Sequence, residues 1–169
     1  KIVKIEKHVK HGIGKKFALS LGIKVAKYEY LLLTDADCKP TSKNWLSKMV
    51  ANFSEVKQIV LGYGAYKKEK GLLNTMIRFD GFNVALQYFS FALAGLPYMG
   101  IGRNLAYKKS IFFDNKGFAS HLYIPSGDDD LFIQEVATKQ NIAIEIDEDS
   151  HTISETKQSW KEWIFQRRR

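Results

Sequence analysis

Apolar residues in this chain occur either as short continuous runs or at helical spacing. Continuous runs predict strands that are buried on both faces. Helical spacing predicts amphipathic helices with one face on the core. The predicted strands occupy 1–6, 28–34, 57–66 and 142–147, and the predicted helices occupy 15–26, 41–53 and 126–140. Segment 102–113 is predicted to begin as a strand and to end as a short helix. Because the two types alternate, the pattern predicts an α/β domain with a parallel or mixed sheet.

The longest apolar stretch, residues 81–101, carries no formal charge. It is long enough to cross a bilayer, but Asn83, Gln87 and Ser90 interrupt it and Gly95 ends the pattern. We therefore expect a core helix that ends near Gly95. A contact with lipid stays an alternative, because exposed aromatic residues on such a helix could lie against a membrane surface. Four apolar residues at helical spacing define the predicted core face: Phe82, Leu86, Phe89 and Leu93.

Composition indicates one globular domain, residues 1–169, because 45% of the residues are hydrophobic and 13% are aromatic. The net charge of +8 favours an anionic partner, such as a nucleotide, a nucleic acid or an acidic membrane surface. Cys38 is the single cysteine, so the chain has no internal disulfide. The chain begins without methionine and ends at Arg169, which suggests a fragment of a longer protein.

Two carboxylates, Asp35 and Asp37, directly follow the apolar run 28–34. On an extended segment they point the same way and repel each other unless a cation or protons intervene. Mg²⁺ or Mn²⁺ would satisfy them and would in turn hold a diphosphate. A plain turn after a strand is the alternative, since aspartate is common there.

An aliphatic strand that ends in Asp-x-Asp also resembles the haloacid-dehalogenase-like phosphatases. That class has threonine or valine where this chain has Lys39, and a later aspartate where this chain has Phe132. Both departures argue against a phosphatase.

Four motifs in order resemble family 2 glycosyltransferases of the GT-A fold over nearly the whole chain. They are GKKFALSLGI with LLLTDADCKP, then GIGRNLAYKK, then SGDDDLF, and finally QRRR at 166–169. The resemblance implies a GT-A fold, which is α/β with a mixed, Rossmann-like sheet flanked by helices. The first βα unit of that fold would be missing, because about one strand precedes the helix at 15–26. An unpaired sheet edge would then remain, which predicts homodimers.

The resemblance also assigns roles to the acidic residues. It implies Asp37 as the metal ligand and Asp35 as the contact to the nucleotide ribose or to metal-bound water. It places the catalytic base on Asp129, with Asp128 beside it. A helix N-terminus would keep that carboxylate ionised and fixed; a well-capped helix without catalytic function is the alternative.

Further candidates are basic or polar. Lys15 and Lys16 lie in a loop suited to an anionic nucleotide, and Arg103 follows a glycine pair near the sugar or acceptor. His151 corresponds to the third metal ligand of many GT-A enzymes. The basic end of the chain would hold the diphosphate or order the acceptor site through Gln166, Arg167 and Arg169.

The family resemblance implies an inverting transferase that uses a nucleotide-sugar, with a UDP-sugar expected, and a carbohydrate or lipid-linked acceptor. It also implies a full-length protein at the cytoplasmic face of a membrane, attached through segments outside this chain, whereas the fragment would be soluble. A basic nucleic-acid-binding module is the alternative of another class. We expect no nucleic-acid partner, because the lysines are spread along the chain and no RNA or DNA motif occurs.

Overall fold

A computed structural model describes residues 14–124 and 126–168 of the chain. Its helices are α1 Gly14–Val25, α2 Trp45–Val50, α3 Leu72–Leu93, α4 Lys109–Asp114, α5 Asp130–Val136 and α6 Trp160–Arg167. Its strands are β1 Tyr30–Leu33, β2 Cys38–Pro40, β3 Ile59–Gly62, β4 Gly64–Tyr66, β5 Leu105–Lys108, β6 Ile142–Glu145 and β7 Thr152–Ser154. The strand predicted at 1–6 lies outside the described residues.

Two mixed sheets organise these elements, which confirms the predicted α/β class. The larger sheet has the order β1-β5-β3-β6, in which β5 is antiparallel to both neighbours and β3 is parallel to β6. The smaller sheet has the order β2-β7-β4. Only Tyr63 separates β3 from β4, so the run predicted as one strand passes from one sheet into the other.

The main core lies between the larger sheet and the helices α3, α4 and α5. Buried residues from β3, β5 and α5 form its centre, including Leu61, Tyr107 and Phe132. A smaller cluster fills the other face of the sheet around Met49 and Val60. Because β1 and β5 are antiparallel, the edge at which β1 ends is also the edge at which β5 begins, and Asp35 and Asp37 follow β1 there.

Helix α3 packs on the core through a different face from the one predicted. Its buried residues are Asn74, Ile77, Gly81, Ala85, Tyr88 and Ala92. Of the predicted core face, Phe89 is half-buried, whereas Phe82, Leu86 and Leu93 are exposed, Leu93 to 78%. Small residues at Gly81 and Ala85 let the helix approach the sheet closely, which leaves its larger apolar side chains outside. The prediction of this core face was wrong.

Strand β7 follows the segment 142–147, which had been predicted as the last strand. Its exposed residue is Ile153, and its buried residues are Thr152 and Ser154. Within the described residues, no helix combines the length and the apolar character needed to cross a membrane.

Candidate active site

The acidic pair follows β1 as that strand leaves the larger sheet. The Thr34 hydroxyl donates a hydrogen bond to the backbone oxygen of Arg103 over 3.0 Å, which ties the end of β1 to the segment that leads into β5. Asp35 and Asp37 come next, and Cys38 begins β2. One ligand atom from each of Asp35, Asp37 and Cys38 lies within 4.8 Å of the others. Within residues 14–124 and 126–168, these three residues form the group that could hold a metal ion.

The three donors of this group differ in chemistry. Carboxylate oxygens of Asp35 and Asp37 suit Mg²⁺ or Mn²⁺, so the pair fits the predicted ion. The Cys38 sulfur lies 2.9 Å from the Ser154 hydroxyl oxygen and 3.7 Å from a carboxylate oxygen of Asp37. Burial raises the pKa of the Cys38 thiol, which favours its neutral form. Sequence reasoning did not propose this cysteine, although it directly follows the pair.

Lys15, in the first turn of α1, joins the two acidic motifs. Its ammonium nitrogen lies 3.0 Å from a carboxylate oxygen of Asp35 and 3.0 Å from one of Asp128. Those two oxygens are therefore no more than about 6 Å apart. Burial lowers the pKa of Lys15, but hydrogen bonds and charge attraction from Asp128 and Asp35 outweigh it and hold the pKa well above its usual range.

Asp129 lies at the N-terminus of α5, and one of its carboxylate oxygens accepts a short hydrogen bond from the backbone N–H of Gly102. Burial raises the pKa of Asp129, and the hydrogen bond from Gly102 offsets this only in part. The helix N-terminus was expected to keep this carboxylate ionised. Burial, together with the negative charge of Asp128, instead raises its pKa.

A cleft of about 480 Å³ opens beside these carboxylates. Helix α6 forms one wall and is attached to α3 by an ion pair of 2.9 Å between Arg167 and Asp80. Tyr66 also lines the cleft, and the Arg103 guanidinium stacks over its ring, 4.1 Å from the ring centre. The lining residues are Lys15, Tyr66, Ser126, Gly127, Asp128, Asp129, Asp130, Trp163, Gln166 and Arg167.

The structure therefore brings Lys15, Asp128, Asp129, Gln166 and Arg167 to one cleft, with Asp35 held against it through Lys15. Tyr66 and Trp163 also line the cleft, and sequence reasoning missed both. The signal for Trp163 was its position three residues before Gln166 on the same helix, which places the two on one face.

Two predicted site residues lie elsewhere. The Lys16 ammonium is buried and donates to the backbone oxygens of His121 at 2.8 Å and Ile124 at 3.0 Å, so it is not free to bind a nucleotide. His151 lies outside the metal-binding group; its ring nitrogen is 3.0 Å from the backbone oxygen of Ile146. Arg169 lies outside the described residues.

Asn104, which follows Arg103, has a structural role. It is fully buried, and its amide nitrogen donates to the backbone oxygens of Tyr63 at 2.9 Å and Ser150 at 2.8 Å. Its amide oxygen accepts from the indole nitrogen of Trp45 at 3.0 Å. The segment between the two sheets is thereby held in place beside the cleft.

Phe132 bears on the phosphatase alternative. Its ring is fully buried in the aromatic core, 5.0 Å from the ring of Tyr107. A position of this kind packs the core and cannot bind magnesium, so the phosphatase pattern fails in space as well as in sequence.

Comparison with solved structures supports the same fold. The mannosyltransferase PcManGT from Pyrobaculum calidifontis, solved in complex with GDP-Man and Mn²⁺, superposes with a TM-score of 0.64 at 20% sequence identity. The match covers 91% of this chain and 40% of that one, so this chain spans well under half of its length. The architecture is thus that of GT-A glycosyltransferases.

Sequence comparison gives the family. No curated protein matches the chain. The profile of Glycosyl transferase family 2 matches residues 1–114, which include Asp35 and Asp37 and stop before Asp128. Because that match covers more than half of the chain, the protein belongs to glycosyltransferase family 2.

Proposed function

We propose that this chain forms the catalytic part of an inverting glycosyltransferase that moves a sugar from a nucleotide-diphosphate sugar to a hydroxyl acceptor. The bridge formed by Lys15 is the observation that carries this proposal. One ammonium lies 3.0 Å from Asp35 at a strand end and 3.0 Å from Asp128 before α5. Two acidic motifs far apart in the sequence therefore face one cleft, as a reaction between a donor and an acceptor requires.

Asp35 and Asp37 would hold Mg²⁺ or Mn²⁺ through their carboxylate oxygens. When bound, the ion would supply positive charge beside the departing diphosphate. Lys15 and Arg167 line the cleft and are suited to bind phosphate oxygens. Gln166 can donate a hydrogen bond to the same groups or to the acceptor.

Asp129 is the proposed general base. Its raised pKa suits a group that must take a proton, and Gly102 fixes its orientation through one oxygen. The acceptor hydroxyl gives its proton to Asp129 while the hydroxyl oxygen bonds to the anomeric carbon. The bond from that carbon to the diphosphate breaks, and its electron pair leaves with the diphosphate. Asp128 is the weaker candidate, because Lys15 already neutralises it.

For the donor and the acceptor, we propose only the chemical class of each molecule. We propose a UDP-sugar donor, and GDP-mannose is the second donor to test because the similar mannosyltransferase was solved with GDP-Man. The acceptor would be a carbohydrate or a lipid-linked sugar. Two further expectations stay predictions. One is that the whole protein lies at the cytoplasmic face of a membrane, and the other is that it forms a homodimer through an open sheet edge.

Binding of donors with and without Mn²⁺ tests this function. Thermal shift and calorimetry with UDP-sugars and GDP-mannose should show one donor that binds only when Mn²⁺ is present. Asp37→Ala should abolish that binding and leave the fold intact, because Asp37 is exposed and adds repulsion rather than packing. Asp114→Ala, an exposed aspartate at the end of α4, is the matched control.

Two results would overturn the proposal. One is unchanged metal dependence in Asp37→Ala. The other is salt-dependent binding of oligonucleotides in the absence of any nucleotide-sugar binding, which would favour the nucleic-acid alternative.

A further inference from the structure

Helix α3 is apolar on two opposite sides. One side packs on the core, and the other, which we call the outer face, presents exposed Leu72, Met76, Phe79, Phe82, Leu86 and Leu93, with the uncharged polar residues Thr75, Asn83 and Ser90 between them. Leu72 is 72% exposed and Phe79 is 64% exposed. These six residues recur at spacings of three, four or seven, so they form one stripe about 30 Å long.

This stripe contains no charge. The two charged residues of α3, Arg78 and Asp80, flank it on opposite sides, because each lies more than a quarter turn from its centre. A surface helix normally presents polar residues to water. An uncharged apolar stripe of this length marks a contact with another apolar surface.

Cations gather where the stripe begins. Lys68 and Lys70 lie in the segment that leads into α3. Lys70 and Lys157 line the same recess of about 370 Å³ as Leu72 and Trp160. Lys161 follows Trp160 on α6. All four lysines are exposed, and none forms an ion pair with another described residue. Lys67, by contrast, is neutralised by Glu69 and Glu155.

We infer that the outer face of α3 and these four lysines form a docking surface for a bilayer that contains anionic lipids. Apolar side chains would enter the acyl boundary while the lysines bind headgroup phosphates. A second copy of the chain fits less well, because the outer face carries no acidic residue that could pair with the lysines of that copy.

The docking surface adjoins the cleft. Helix α6 carries Trp160 in the recess that Lys70, Lys157 and Glu69 also line, and it carries Trp163, Gln166 and Arg167 in the wall of the cleft. A chain docked in this way holds the α6 wall of the cleft close to the membrane surface, which fits a lipid-linked acceptor. This last step rests on the proposed function, whereas the docking itself does not.

Co-sedimentation of the 169-residue chain with vesicles tests the docking surface. We expect binding to vesicles of phosphatidylcholine mixed with phosphatidylglycerol, weaker binding to phosphatidylcholine alone, and a decrease with added salt. Phe79→Ser with Leu86→Ser should weaken binding by at least about tenfold. The matched control replaces Leu46 and Val56 with serine, since both are equally exposed on other parts of the surface.

The lysines are tested separately. Lys70→Ala with Lys157→Ala should reduce binding to the anionic vesicles by about tenfold and should weaken its salt dependence. Circular dichroism verifies that each variant is folded. Lipids brominated near the headgroup should quench tryptophan fluorescence, and Trp160→Phe should remove most of that quenching.

Unchanged vesicle binding in the Phe79/Leu86 variant would overturn the inference. So would a stable dimer of the wild-type chain that the same substitutions dissociate, because the face would then bind a second copy. Asp37→Ala should dock normally, so failure of the docking surface and failure of the proposed transferase give different results.

Discussion

Lys15 and Lys16 are neighbours on α1, yet their ammonium groups have different surroundings. Lys15 lies between Asp35 and Asp128 at the cleft, whereas Lys16 is buried against backbone oxygens of the segment 121–124. On a helix, adjacent residues point about 100° apart, so one can face a ligand and the next can face the interior. Sequence reasoning treated the pair as equivalent because nothing in their order separates them.

The two lysines should therefore respond differently to the same substitution. Lys16→Met leaves two buried carbonyls without a donor and should lower the free energy of unfolding by about 1–3 kcal/mol while nucleotide binding persists. Lys15→Met should weaken nucleotide binding about tenfold. Urea unfolding and calorimetry measure the two effects. Loss of binding in Lys16→Met at unchanged stability would contradict this assignment.

Asp129 should limit transfer at low pH. A base must be deprotonated, and burial raises the pKa of Asp129, so the rate should fall at a pH above that at which an exposed aspartate titrates. In an active full-length protein, Asp129→Asn should retain donor binding and lose transfer by several orders of magnitude. A far greater loss in Asp128→Asn than in Asp129→Asn would place the base one residue earlier.

The same carboxylate should make stability depend on pH. Because the folded-state pKa of Asp129 is raised, the folded protein binds its proton more tightly than the unfolded chain does. The resulting stabilisation is fully present below the unfolded pKa and is lost as the pH rises through the folded pKa. Asp129→Asn should therefore raise the melting temperature at neutral pH. A melting temperature below that of the wild type would show that the carboxylate stabilises the fold.

At the scale of elements, α3 and β7 show where sequence patterns mislead. A pattern identifies a buried face by contrast with a polar one, and α3 has apolar residues on both sides, so its core face could not be predicted. The existence of the helix and its end near Gly95 could be predicted. Its start at Leu72 could not, because Arg78 and Asp80 precede the uncharged stretch from which the helix was predicted. Strand β7 reverses the usual alternation of buried apolar and exposed polar residues. Thr152 and Ser154 are buried with their hydroxyl groups hydrogen-bonded, whereas Ile153 is exposed.

The reversed pattern of β7 predicts an unusual pair of effects. The Thr152 hydroxyl donates to the backbone oxygen of Arg103 at 2.9 Å, so Thr152→Val should cost about 1 kcal/mol although valine is more apolar. Ile153→Thr, on the exposed side of the same strand, should change the free energy of unfolding by less than about 0.5 kcal/mol. Denaturant unfolding of both variants measures the two free-energy changes. A larger loss in Ile153→Thr than in Thr152→Val would mean that apolar burial, and not the hydrogen bond, stabilises β7.

For the whole molecule, the acidic motifs were predictable because strand and helix ends bring such residues to one edge of an α/β sheet. The position of Lys15 between these motifs was not predictable, and neither was the cleft wall formed by α6. Both depend on tertiary packing, which the local pattern of apolar and polar residues does not encode. The same holds for Asn104, which connects β3 and β4 with the segment before β7 through two backbone oxygens and the Trp45 indole.

Asn104→Ala tests that connection. The substitution removes the side-chain partner of the Ser150 oxygen and of the Trp45 indole, and it leaves the Tyr63 oxygen only the bond from the Thr152 N–H at 3.2 Å. We therefore expect a loss of about 3 kcal/mol in the free energy of unfolding. Tryptophan fluorescence and circular dichroism should report one coincident transition in the wild type. A loss below about 1 kcal/mol would show that water replaces the amide.

The space around Asn104 also constrains how this sequence can diverge. A β-carbon at Gly62 would lie 2.5 Å from the Asn104 side chain, and the hydrogen bonds of that amide leave it no room to move aside. Neither position can then change freely in evolution. Homologous chains with a larger residue at 62 are expected to carry a smaller one at 104, so the two positions should vary together across an alignment.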